Sequence, residues 1–391
     1  MPLTLGRPTI MGQEGQGVVW SNGAIWNERR RFSLKHLRDM GFGRKSLDSV
    51  IVEEADLLID KLLQAKNGFV EIKNTFNVPI INILWEIVAS KKLDPDHPET
   101  ERTIGIVNTL IQGFTVLAFL PKIILQIFTI LRLSPTLAKQ NDCIEQMREI
   151  MQILIADHLK DIDYDNPRDF MDIFLAQRDI NSNFDEEQLI ATCNDFFIAG
   201  AETTSTTLSW AVLFMTIHPN VQSQCKAEIF EQIGSRPPCI DDVQKLPYVM
   251  ATIMEVQRMS LVAPGSLPHY LMKRIVIDGY VFEKGTTFIA NISKFLMDPK
   301  IFHKPRTFNP ERFRDESGKL QKNEQFIPFS IGKRICMGES LAKNEMFLFF
   351  VRIMQRISFQ ETYKKPSPNN VIYGLTRIPK PFQVKVVIQN L

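Results

Sequence analysis

Apolar residues recur three and four positions apart through most of the first two-thirds of the chain. The windows Asn27–Leu37, Lys45–Leu63, Val78–Ala89, Glu101–Phe114, Ala138–Leu159, Asp185–Ile217, Val221–Gln232 and Val249–Met259 carry this spacing. A 3.6-residue period places those positions on one face, so each window predicts a helix with a buried side. The pattern then shortens. Leu267–Met272, Ile275–Phe282 and Thr286–Ala290 are brief and β-rich, with Gly279 and Gly285 as turn residues. A helical run, Ser340–Arg352, follows Gly338, and Val371–Leu375 and Phe382–Ile388 read as strands again.

No repeat, low-complexity tract or long Gly/Ser linker divides the chain. The expectation is a single, mainly α domain over residues 1–391 with small β-sheets set to one side. The most apolar stretch, Leu117–Leu133, is interrupted by Pro121, Lys122, Gln126 and Arg132 and falls short of a membrane span. It fits either a core helix or one lying on a bilayer surface. The first eight residues hold no apolar run, so no signal peptide is expected.

Composition changes little. The chain has 391 residues, 44% apolar and 23% charged, with a net charge of +2. That balance gives no support to a nucleic-acid partner. Five cysteines, Cys143, Cys193, Cys225, Cys239 and Cys336, form no C-x-x-C pair and no zinc spacing. An odd number without a framework suits a reducing compartment.

Cys336 stands apart. It lies between Gly332 and Gly338, two residues after Arg334, and before a helical run. A thiol at a helix N-terminus is expected to have a lowered pKa. Flanking glycines let backbone approach a flat, bulky partner. The ordinary reading of one cysteine is a small buried hydrophobe. Here the spacing of Phe329, Gly332, Arg334, Cys336 and Gly338 resembles the haem-binding loop of the cytochrome P450 monooxygenases at every specified position. The resemblance implies haem b as cofactor and Cys336 as its axial thiolate ligand. Such a ligand favours O–O cleavage.

Further segments carry the same resemblance. Gly200 followed by Glu202, Thr203 and Thr204 breaks helix propensity, and alone reads as a polar stripe. It is similar to the family's distal helix, which makes Glu202 and Thr203 the acid–alcohol pair that relays protons to dioxygen. Glu255 and Arg258, three apart among apolar neighbours, and Arg312 in Pro310–Phe313 resemble the family's structural triad. Trp26 and Arg30 match its Trp-x-x-x-Arg motif and, with Arg334 and His269, are implied as partners of the haem propionates. Arg7 is a further candidate. The remaining histidines have no clustered partners. Arg29, Arg31, Lys35, Arg38, Lys333 and Lys343 are implied to form a cationic face on the thiolate side, suited to an acidic electron donor. For any one of them, ordinary solubilising charge is as good a reading. By analogy Phe196, Phe197, Ala199, residues 262–266 and Leu375 line a lipophilic cavity, though core packing explains them equally.

The texture is closest to the animal microsomal family-2 group. It implies a fold-complete relative on the cytosolic face of the endoplasmic reticulum membrane, fed by NADPH-cytochrome P450 reductase, with cytochrome b5 as an optional donor. Substrates would be xenobiotics, fatty acids or steroid-like molecules. This chain reads as N-terminally incomplete, lacking the anchor and first sheet strands, so a cytoplasmic or peripheral location and an open sheet edge near residues 275–290 are expected. Two other classes fit parts of the same sequence. One is a truncated, catalytically impaired haem-binding protein. The other is a haem-thiolate isomerase or dehydratase, against which the Gly200–Thr204 segment argues.

Overall fold

In the computed structural model, which describes residues 15–65, 68–112, 134–178 and 180–388, the helical windows become discrete elements. They are α1 (Gly23–Asp39), α2 (Asp48–Leu63), α3 (Asn77–Ala89), α4 (Pro98–Gln112), α5 (Pro135–Leu159), α6 (Phe170–Arg178), α7 (Glu186–Ile217), α8 (Pro219–Ile233), α9 (Pro247–Ser260), α10 (Ile292–Leu296) and α11 (Glu339–Arg356). The apolar stretch Leu117–Leu133, Phe114 and Arg7 lie outside the described residues.

Local chemistry sets the boundaries. The Asp185 carboxylate caps α7 by accepting the Gln188 N–H at 2.8 Å, and Ser134 caps α5 through the Leu137 N–H. Proline opens α5, α8 and α9, where its missing N–H is not needed. The Lys45–Leu63 window splits into a 3₁₀ turn, Lys45–Leu47, and α2.

The 32-residue α7 is the hub of the fold. Helices α3, α4, α5, α6, α8, α9 and α11 all pack on it. Phe197, Trp210 and Phe214 of α7 and Phe347 and Phe349 of α11 are buried in this core. Each such side chain contributes about 1.5–3 kcal/mol on burial. Gly200 sits where α7 crosses α3. A Cβ there would approach Leu84 Cδ2 to 2.8 Å. Close helix packing therefore accounts for a residue that costs about 1 kcal/mol in helix propensity.

Strands are few and antiparallel. β1 (Phe69–Ile72) and β6 (Ile357–Gln360) flank β9 (Phe382–Ile388). Val70 pairs with Val384, and Phe359 with Val386. Phe382, Val384 and Val386 face inward while Lys385 faces out, the period of two that a half-buried strand requires. The other sheets have two strands each: β2 (His269–Tyr270) with β5 (Thr287–Phe288), β3 (Ile275–Ile277) with β4 (Tyr280–Phe282), and β7 (Val371–Tyr373) with β8 (Arg377–Pro379). Val276, Tyr280 and Val281 of the β3–β4 hairpin are exposed.

Among the described residues, the helices and strands that escape the sequence pattern are β1, β6, β8, α6 and α10. Each is nine residues or shorter, too short for periodicity to separate from noise. β6 also continues directly from α11, so no turn residue marks its start.

The expected triad is present and buried. Glu255 Oε2 accepts Arg258 Nε at 2.7 Å, and Oε1 accepts Arg258 Nη2 at 2.9 Å, Arg312 Nε at 3.0 Å and the Asn309 N–H at 2.8 Å. Arg258 also donates to Leu296 O, and Arg312 to His303 O and Thr307 O. Buried charges persist when their hydrogen bonds are met, as these are. The network ties α9 to α10 and to the 3₁₀ turn Pro310–Phe313. No helix among the described residues is long and apolar enough to cross a membrane.

Candidate functional site

The loop before α11 is built by its own backbone. The Cys336 N–H donates to Phe329 O at 3.0 Å, and Ile335 N–H to Gly332 O at 3.1 Å. A 3₁₀ turn, Gly332–Arg334, lies between. Gly332 has φ +80°, a conformation that favours glycine. Gly338 has φ −87° and caps α11, so its backbone makes no such demand.

Cys336 as a residue lies on the exposed side of this loop, while its thiol has enough protein packed around it to be desolvated. The expected lowering of its pKa is not found. Burial in the surrounding protein pushes the thiol up, against the Gly338 N–H hydrogen bond and the charge of Arg30, with Glu339 adding to the rise. Desolvation disfavours the charged thiolate and is the largest of these effects.

Two arginines fasten the loop. Arg30 Nη2 donates to Ile335 O at 2.8 Å. Arg334 donates to Ser21 O at 2.7 Å, Val18 O at 3.3 Å and Asn22 Oδ1 at 3.2 Å. Both guanidinium groups lie over buried Trp26, at 5.8 Å and 3.9 Å from the ring centroid. Trp26, Arg30, Arg334 and Cys336 are thus brought into one neighbourhood. Phe329 joins them through the loop and carries Lys343 Nζ 5.6 Å above its ring. His269 stands apart. It is exposed on β2, and its Nδ1 lies 2.7 Å from Leu267 O of its own segment.

On α7, Glu202 and Thr203 leave the helix about 100° apart, and no hydrogen bond joins them among the described residues. Glu202 is buried, pushed up to about 6 by burial against hydrogen bonds from Thr206 and from Asn77 of α3. Thr203 is half-buried, and its hydroxyl donates to Ala199 O at 2.8 Å.

One expectation of the cationic face needs correction, and one open choice is narrowed. Arg29 is not on the cationic face. It is buried, donating to Gly15 O at 2.6 Å and Asn183 O at 3.2 Å. Helix phase turns it inward, while Arg31, Lys35, Arg38 and Lys333 stay exposed. Phe197 stacks on Trp85 at 4.4 Å, and Phe196 meets Phe170 at 5.3 Å, so both are core. Ala199 is the exposed member of that group.

Asp195 was not singled out by the sequence. Its Oδ2 accepts the N–H groups of Val18 and Val19 at 2.7 and 2.8 Å. Burial pushes it up to about 7 despite these bonds. The same short segment supplies the carbonyls held by Arg334 and Arg29. Asp195 therefore positions the strap that anchors the cysteine loop. Its only sequence signal is an acid within an apolar helical stretch.

His158, Asp169 and Asp172 also cluster with ligand-like spacing. Both ring nitrogens of His158 are engaged, with Leu154 O at 2.7 Å and Asp169 Oδ2 at 2.8 Å. Arg168 clamps Asp172. This is a satisfied ion-pair network joining α5 to α6. A small apolar gap beside Phe76, Leu208, Met215 and Phe350 touches none of the candidate residues.

The cytochrome P450 family model matches residues 6–386. The chain is 35% identical to cytochrome P450 2U1 of Bos taurus over 385 residues, covering 96% of this chain and 70% of the relative. It is 36% identical to cytochrome P450 2B4 of Oryctolagus cuniculus over 388 residues, covering 95% and 77%. Cytochrome P450 2D26 of Rattus norvegicus is 36% identical over 392 residues, covering 96% and 77%. The chain belongs to the cytochrome P450 family. That makes it a haem-thiolate monooxygenase, and does not favour the isomerase, dehydratase or impaired haem-binding readings.

The family's cofactor is haem with a cysteine thiolate ligand, and the residues here fit it. Cys336 lies on the exposed side of its loop, and its sulfur receives the Gly338 N–H. Arg30 and Arg334 flank an aromatic wall and carry forked donors of the kind carboxylates take.

Proposed function

We propose that this chain inserts one oxygen atom into a lipophilic small molecule, with Cys336 as the iron ligand and NADPH electrons delivered by a flavoprotein reductase. The balance is RH + O₂ + 2e⁻ + 2H⁺ → ROH + H₂O. Haem, when bound, supplies dioxygen activation. The protein holds it through Cys336 and meets its carboxylates with Trp26, Arg30 and Arg334. His269 is a further candidate for that contact. Phe329, Gly332 and Gly338 shape the loop. Glu202, raised to about 6, can take up and release a proton close to neutrality, and Thr203 presents a hydroxyl on the more open face of α7, so water between them can carry protons. The exposed cations Arg31, Lys35, Arg38 and Lys333 suit an acidic reductase, with cytochrome b5 as an optional donor. The same reading treats the chain as one catalytic domain at the cytosolic face of the endoplasmic reticulum.

The observation that carries this proposal is the cysteine loop, pinned by Arg30 and Arg334 across Trp26. The test is the absorption spectrum of the reduced, carbon-monoxide-bound protein. A thiolate ligand shifts the Soret band strongly to the red. Cys336→Ala is expected to abolish that band, and its persistence would remove Cys336 from the role. Reconstitution with reductase, NADPH and a lipophilic probe should consume oxygen in step with hydroxylated product.

A further inference from the structure

Arg377, at the start of β8, holds three carbonyls around a strained residue. Its Nη1 donates to Met259 O at 3.1 Å and to Ser260 O at 2.7 Å, the last two residues of α9. Its backbone N–H donates to Val262 O at 2.9 Å. Leu261 lies between them with φ +48°, a left-handed conformation that residues other than glycine rarely adopt. Such strain persists only where the surroundings fix it. Here one arginine fixes it from both sides.

The guanidinium is committed to carbonyls. Its Nη2 donates to Pro368 O at 2.8 Å, and none of these bonds goes to a carboxylate. A cation at this place meets carbonyls that a helix end leaves without partners, at the negative pole of the α9 dipole. The guanidinium carbon lies 4.5 Å from the ring centroid of Trp210 of α7, and Trp210 Nε1 donates to Arg377 O at 3.0 Å. Trp210 is fully buried. It lies two turns beyond Thr203 on the same face of α7, about 10 Å along the helix.

The same arginine governs two stretches that leave apolar side chains open. Ala263 is exposed, and Pro264 and Leu375 are half-buried. Residues 262–266 begin at the Arg377 clamp. Their far end is fastened independently, by the Ser266 N–H to Ala290 O at 2.9 Å and the Ser293 N–H to Pro264 O at 2.8 Å. Leu375 stands just before Arg377 on the β7–β8 turn, and its N–H donates to Ile111 O of α4 at 3.4 Å. Only the Arg377 contacts listed above join the two stretches to each other among the described hydrogen bonds.

We propose that Arg377 is a specificity-determining positioning residue, which sets the separation between residues 263–264 and Leu375 as two walls of the cavity that admits the lipophilic substrate. It touches no reacting atom and acts through Leu261, Val262 and Leu375. The inference rests on the monooxygenase reading and names the device that shapes its substrate site. Lysine would keep the charge, but it has neither the fork for several carbonyls nor the flat face for Trp210.

The test uses the haem-loaded protein, its Arg377→Lys variant and 1-alkylimidazoles from methyl to octyl. The ring nitrogen binds the iron while the chain occupies the cavity, and affinities are read from the Soret shift. 1-Methylimidazole should bind both proteins alike, and the red-shifted carbon-monoxide band should be the same in both. The affinity ratio of the octyl to the methyl compound should change several-fold in Arg377→Lys, and an unchanged ratio overturns the proposal. Equal affinities along the series in the wild-type protein overturn it too, because the clamped walls then face no ligand. Should Arg377→Lys not load haem, hydrogen exchange in the wild-type protein decides. Slow exchange at the Arg377 amide, which donates to Val262 O, supports the clamp, and exchange at the rate of an unfolded chain overturns it. If the wild-type protein forms no red-shifted carbon-monoxide band, the monooxygenase reading fails by itself, and the same exchange measurement judges the clamp alone.

Discussion

Arg334 lies flat over Trp26, its guanidinium carbon 3.9 Å from the ring centroid, while its Nη2 donates to Ser21 O at 2.7 Å. One side chain thus joins the cysteine loop to α1 and to the strap before it. Residues more than 300 positions apart are held by a stack and a fork that lysine lacks.

Arg334→Lys should therefore weaken the loop while keeping the charge. The lost stack and fork cost about 2 kcal/mol. Haem retention during dialysis measures this, and retention equal to wild type would show that charge alone suffices.

Thr203→Ala removes a half-buried hydroxyl and no packing of note. Haem binding and the reduced carbon-monoxide spectrum should survive. Product formation should fall by up to about 10²-fold, the scale of one proton-transfer group, with electrons diverted to hydrogen peroxide. Full coupling in this variant would exclude Thr203 from proton delivery.

Glu255→Gln leaves Arg258 and Arg312 facing an uncharged partner in the interior. Loss of one member of a buried network costs about 3–5 kcal/mol. The denaturant midpoint should drop accordingly, while the thiolate spectrum per folded molecule stays the same. A changed spectrum in the folded fraction would mean that the triad also tunes the iron site.

Asp195 makes stability depend on pH. Its folded value is raised to about 7, against about 3.9 in an unfolded chain. The folded state then binds more protons between these values, so the contribution of Asp195 is full below about pH 4 and is lost as pH rises through about 7. The melting temperature of Asp195→Asn, relative to wild type, should climb across that window. Parallel curves would contradict the raised value.

The short-range pattern was legible in the chain. Helical period, caps and turn residues are set within a few positions, so the windows around α2, α3, α5 and α7 emerged to within a few residues. The spacing from Phe329 to Gly338, and Glu255 three residues before Arg258, are local in the same sense. Other features needed the folded chain. Arg29 reads like its neighbours Arg30 and Arg31 until helix phase turns it into the strap. Asp195 reaches Val18 across 177 positions. The Cys336 thiol is shifted by the protein mass around it, which no helix-end rule contains. A sequence records which side chains stand a few residues apart; desolvation and partners from distant segments exist only once those segments have been folded together.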